Sequence, residues 1–238
     1  MPGSQCVIAC TSAILFSMKP ILSIISVLFF AACNNSSKVD TMLLPPENSK
    51  VVITQLIDSL GNVTITLPIR YDTSFSRTLY SDCGKPCDKV IYCWQPKGFK
   101  ITEESGGIWF GEPKDSMESF TIIHSGYFPF HDNNDTSFIF KVHEHEKAEI
   151  IQNPDTYKIN SDTVEKIGDR YFSIITIDLY DTAKAQYSKK LLAATEIKSN
   201  IIHFNFELLT KQKGASTDKF IDHSKFYLRT IKISKGHD

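Results

Sequence analysis

KKLLAATEIKSNIIHFNFELL, residues 189–209, decides the fold. Two runs rich in Leu, Ile and Phe, KKLLAATEI (189–197) and IIHFNFELL (201–209), flank Ser199-Asn200, residues suited to a turn. The pair is expected to form a β-hairpin. The same pattern extends outward. DTVEKIG (162–168) and RYFSIITIDLY (170–180) turn at Gly168-Asp169. VVITQLI (51–57) and VTITLPI (63–69) flank DSLGN, whose Gly61-Asn62 tolerates positive φ. Pro68 cannot donate to a ladder, so that strand ends there or lies on an edge.

Between the hairpins, DKVIYCWQP (88–96) alternates, with Val90, Tyr92 and Trp94 on one face and Ile91 and Cys93 on the other. MESFTIIHS (117–125) is another expected strand. Residues 70–87 read as irregular. Residues 97–116, rich in Gly, read as loop with a short strand near Ile108. Two helices are expected. Asp135-Thr136-Ser137 offers caps for SFIFKVHEHEKAEIIQ (137–152), which Asn153-Pro154 ends. Thr217-Asp218 is expected to cap DKFIDHSKFYLRTIKI (218–233), where Phe220, Ile221, Ser224, Tyr227 and Leu228 follow helical spacing. Hairpins with two late helices define α+β: a twisted, mostly antiparallel sheet with two or three helices packed on it.

The order of helix, two hairpins and a closing helix before LRTIKI, over roughly residues 60–235, resembles the PsbP-like fold, known from the photosystem oxygen-evolving subunit and many small bacterial lipoproteins. That resemblance implies a binding or assembly protein and no shared chemistry.

ILSIISVLFFAA (21–32) is twelve residues without a charge. As a helix it rises ~18 Å, short of a ~30 Å hydrocarbon core. Met18-Lys19 precedes it and small residues follow, the order of a secretory signal. Phe30-Ala31-Ala32-Cys33 resembles the lipobox of bacterial lipoproteins, where the cysteine is acylated and becomes the new N-terminus; the family usually has Leu where Phe30 stands. The expected organisation is therefore a signal over residues 1–32 (with Met18 an alternative start), a lipidated tether over 33–49 and one α+β domain over 50–238. Two alternatives stand beside it: a membrane span over 6–32, opposed by Lys19 and Pro20, and cleaved soluble secretion. No Asp follows Cys33, which in the enterobacterial sorting scheme points to the outer membrane.

Outside the cytoplasm a disulfide is permitted. In Cys83-Gly-Lys-Pro-Cys87 a turn brings the ends together, so a disulfide between Cys83 and Cys87 is expected, with free thiols or a redox or metal pair as alternatives. Cys93 is expected to be a buried, small apolar residue.

His143 and His145 in VHEHEK are the candidate metal ligands. On a helix they diverge by about 200°, so the expected reading is a solvated face with His145–Glu149 and His143–Lys147 neighbours, and no metal. GYFPFH (126–131) is apolar for a loop, so Tyr127, Phe128 and Phe130 are a candidate partner contact. G-x-S-x-G, Walker and dinucleotide motifs are missing from the sequence. A net charge of -1 supplies no field to recruit nucleic acid.

These features lead to a non-enzymatic, extracytoplasmic lipoprotein of the bacterial cell envelope. It is held to the membrane by lipid, needs no cofactor and binds no nucleic acid, and an envelope protein is the candidate partner. The alternative is a metal-dependent or other hydrolase using the His-rich segment.

Overall fold

The structure, a computed structural model, describes residues 44–57, 59–84, 87–97, 104–105, 108–109, 116–125, 135–152, 158–182 and 185–234. The chain divides into two units, Met1–Leu43 and Leu44–Asp238, and every described residue belongs to the second. The expected signal, Cys33 and the contact residues Tyr127, Phe128 and Phe130 lie outside the described residues.

Seven antiparallel strands form the main sheet: β3 (Thr73–Leu79), β4 (Lys89–Gln95), β7 (Ser116–Ser125), β8 (Lys158–Ile167), β9 (Arg170–Asp181), β10 (Gln186–Ile197) and β11 (Asn200–Thr210). Their spatial order is β3-β4-β7-β11-β10-β9-β8. A smaller antiparallel sheet joins β1 (Ser49–Leu56), β2 (Gly61–Pro68) and β12 (Lys232–Ser234) in the order β1-β2-β12. β5 (Glu104–Ser105) and β6 (Ile108–Trp109) pair as a short ribbon. Helices α1 (Asp135–Ile151) and α2 (Ala215–Leu228) complete an α+β architecture. Among the described residues no helix is long and apolar enough to cross a membrane.

The deciding stretch forms the hairpin β10–β11, with Ile197 opposite Asn200. Its turn is Lys198-Ser199, one residue earlier than expected. Both carry positive φ, 48° and 69°, as a two-residue type I′ connection requires. Glu196 Oε1 accepts from the Ser199 amide at 2.9 Å, which gives that strained turn a hydrogen bond. Gly168, at φ 63°, turns β8 into β9.

Alternation along each strand gives the main sheet two buried faces. Ile122, Phe204, Phe206, Leu191, Ala193, Phe172 and Ile174 belong to the larger core, shared with α2 and the small sheet. Phe206 sits opposite Phe120, with ring centroids 4.6 Å apart. Truncating such a fully buried ring to Ala typically costs about 3–5 kcal/mol. On the opposite face, Ala194 and Ile201 meet Phe138, Ile139 and Val142 of α1.

Two expectations are corrected. Residues 70–87 are not all irregular: TSFSRTL forms β3, an edge strand paired with β4. Its apolar positions are too sparse to announce a strand, and backbone pairing with β4 supplies the order instead. The final helix stops at Leu228 rather than continuing to Ile233. Thr230 Oγ1 donates to the Tyr227 carbonyl at 2.7 Å and accepts from the Thr66 amide at 2.9 Å, tying the chain to β2 just past the helix end. β-Branched Ile233 then pairs with Val63 in β12. At the other end the N-cap is Gly214, not Thr217-Asp218; Thr217 occupies the third helical position and its hydroxyl accepts from the Gly214 amide at 3.2 Å.

Candidate functional site

A cavity of about 410 Å³ opens where α2 crosses the ends of β7 and β11. Helical spacing places Phe220, His223, Ser224 and Tyr227 along its α2 side. Strand alternation presents Glu118 from β7, and Phe206 and Leu208 from β11. Pro68 ends β2, and the turn after it carries Arg70 and Tyr71. Glu47, just ahead of β1, closes the rim.

Arg70 lies between two carboxylates. Its Nε and Nη2 donate to Glu47 at 2.8 and 3.0 Å, and its Nη2 donates to Glu118 Oε1 at 2.8 Å. Nη1 also donates to Glu118 Oε2. Burial opposes the guanidinium charge, but the Glu47 and Glu118 hydrogen bonds outweigh it and raise the Arg70 pKa above its ordinary value. Tyr71 is buried and its hydroxyl donates to Glu118 Oε1 at 2.7 Å. Burial, then the Glu118 charge, raises its pKa well above the tyrosine value, so it remains a donor.

Tyr227 differs from Tyr71. It is only 2% exposed, and its buried hydroxyl has no hydrogen-bond partner. Burial, followed by the Glu47 charge, pushes its pKa up to about 12. An orphaned buried hydroxyl in a cavity wall costs roughly 1–3 kcal/mol and is a natural anchor for a bound group.

The candidate metal ligands are not brought together. His143 faces the sheet and is buried, which corrects the expected solvated face; its Nδ1 lies 3.0 Å from Ser173 Oγ. Lys147 pairs with Asp162 instead of His143. His145 points to solvent, with Nε2 3.3 Å from Glu149 Oε1. Among the described residues no group of three His, Cys, Asp or Glu side chains is placed to hold a metal ion. Ser173, His143 and Asp162 form a line reminiscent of a hydrolase triad, with His143 Nε2 4.0 Å from Asp162 Oδ2. However, the Ser173 hydroxyl donates its proton to Glu146 Oε2 at 3.0 Å and not to His143, so the imidazole is not placed to take that proton as a general base.

Cys83 and Cys87 lie at disulfide distance, with Cα atoms 5.9 Å apart. Cys93 is a free thiol, 7% exposed, and burial pushes its pKa up to about 11.

Sequence reasoning missed the cavity. Its parts come from the expected tether, an expected irregular segment, a polar strand position and the apolar stripe of α2, and no local spacing links them. The one available signal was Glu118, a carboxylate on the inward face of a strand.

No described protein family matches the chain. No curated protein matches either. The chain is similar to several solved structures. Cyanobacterial PsbP (CyanoP) from Synechocystis sp. PCC 6803 is 9% identical, with 79% of this chain and 95% of that chain covered and a TM-score of 0.43. The Saccharomyces cerevisiae Ran-binding protein Mog1p is 8% identical, with 78% and 96% covered and a TM-score of 0.41. LpqN of Mycobacterium tuberculosis, described as involved in cell envelope biogenesis, is 9% identical, with 70% and 95% covered and a TM-score of 0.36. None of the three reaches a TM-score of 0.5, and the α+β assignment rests on the chain's own strand order and helices.

Proposed function

We propose that the chain is a lipid-anchored, extracytoplasmic, non-catalytic binding module of the bacterial cell envelope, with a PsbP-like domain. It is acylated at Cys33 and serves as an accessory to an envelope complex. Residues 1–32 act as the signal, 33–49 as the tether and 50–238 as the binding domain. The apolar run 21–32, too short to span a bilayer, followed by Phe30-Ala31-Ala32-Cys33, supports the anchor. The order of helix, two hairpins and closing helix supports the PsbP-like resemblance.

The observation that carries the binding role is the cavity wall: the Tyr227 hydroxyl is buried and unpartnered beside a charged cluster and apolar side chains. A binding pocket combines these features. The buried Ser173 supports a non-catalytic reading.

Fractionation and a turnover screen test the proposal. The wild-type chain is expected in membranes with radiolabelled palmitate incorporated. The Cys33→Ser variant is expected to lose the label. The purified full chain is expected to leave ester, amide and phosphoester model substrates intact. Turnover that disappears in Ser173→Ala would replace the binding reading with a hydrolase.

A further inference from the structure

We propose that the α2 cavity binds a small molecule with an ammonium head and an apolar body. This assignment rests on the binding-module reading above.

The charge of the lining favours a cation. Glu47 and Glu118 contribute two negative charges and Arg70 one positive charge. A bound carboxylate would add a third negative charge around a single guanidinium.

Hydrogen-bonding capacity points the same way. A guanidinium has five N–H groups, and Arg70 commits four to the two glutamates. Two carboxylates offer about eight acceptor positions; the four Arg70 bonds and the Tyr71 hydroxyl occupy five. The two glutamates and Arg70 therefore keep about three open acceptor positions and one N–H, beside the ring nitrogens of His223. The unpartnered Tyr227 hydroxyl adds an acceptor and one donor, which leaves acceptors in excess. An ammonium brings three donors and no acceptor, which complements this surplus. A carboxylate brings the reverse, and Arg70 offers it a single uncommitted N–H.

Tyr227 lines the same cavity as Glu47, Arg70 and Glu118. It stays neutral at ordinary pH, so its oxygen is free to accept. Pro68, Phe206, Leu208 and Phe220 supply the apolar surface for the ligand's body. A volume of about 410 Å³ lies within the range of small-molecule sites and exceeds what an ammonium alone would fill.

The test is calorimetric titration of the full chain, in a non-ionic detergent, with three probes of matched shape: phenethylammonium, phenylacetate and phenethyl alcohol. Phenethylammonium is expected to bind, with phenylacetate and the alcohol at least about tenfold weaker. Tyr227→Phe is expected to weaken the ammonium about tenfold by removing one hydrogen bond, with an unchanged or raised melting temperature. Glu47→Gln, ahead of β1 and outside the core, is expected to weaken it as well. Binding of phenylacetate or the alcohol as tight as that of the ammonium would overturn the cation assignment and leave the binding-module reading standing. Full-strength ammonium binding by both variants would put the ligand elsewhere and overturn the assignment. No heat from any of the three probes would also overturn the cation assignment, while the binding-module reading falls only to the turnover result described above.

Discussion

His143 Nδ1 lies 3.0 Å from Ser173 Oγ in the seam between α1 and β9. Ser173 donates its single proton to Glu146 Oε2 at 3.0 Å, so His143 must carry hydrogen on Nδ1 to complete the contact. Glu146 Oε1 in turn lies 3.2 Å from His203 Nδ1 on β11. Polar residues thus occupy part of the sheet-facing stripe of α1, and two of them, His143 and Glu146, are joined through a strand serine.

Ser173→Ala is accordingly expected to lower stability by about 1–3 kcal/mol, because His143 and Glu146 each lose a partner in a closed seam. Urea unfolding measures the loss. Membrane attachment is expected to be unchanged, because the seam belongs to the folded domain and the proposed anchor to Cys33.

Arg70→Ala is expected to cost about 1–2 kcal/mol. That lies between the value of an exposed ion pair and that of a buried one, since the Arg70 side chain is 41% exposed. Arg70→Lys is expected to recover less than half, because an ammonium cannot fork onto Glu47 and Glu118 together. Thermal melts of the two variants give the comparison.

Cys93 is expected to resist alkylation in the native chain at pH 8 and to react at least about tenfold faster in urea, as a buried protonated thiol should. Its titration also affects stability. An unfolded thiol ionises near 9.0 and the folded one near 11. Between those values the unfolded state binds fewer protons, so stability falls as pH rises. Tyr71 and Tyr227, also raised above the ordinary tyrosine value, add the same sign at higher pH. Urea midpoints measured at pH 8 and pH 10 are expected to be lower at pH 10.

A Cys83–Cys87 bridge would close a loop of sequence separation 4. So short a loop constrains the unfolded chain weakly, and reduction is expected to cost at most about 2 kcal/mol. Non-reducing peptide mapping of exported protein should find the crosslinked pair.

Strands with alternating apolar residues were legible in the sequence. VTITLP and IIHFNFELL bury nearly alternate side chains in a sheet face, so period two survives in the letters, whereas RYFSIITIDLY is buried on both faces from Phe172 to Ile177 and reads as a strand through its run of apolar and β-branched residues. TSFSRTL was not legible, because backbone pairing at a sheet edge leaves little apolar trace. His143 was misread because a polar residue inside an apolar helix stripe resembles a solvated one until its partner on β9 is known. The stripe of α2 was legible as packing, but its Tyr227 hydroxyl was not legible as a cavity wall. That role depends on Glu47 and Arg70, more than 150 positions away in the sequence.

The most direct test of the account is the intact mass of the protein isolated from its native membrane. The account predicts a chain beginning at Cys33, heavier than its polypeptide by the mass of an acylated glyceryl group on the thiol. A chain that retains the peptide upstream of Cys33 and carries no acyl mass would contradict it.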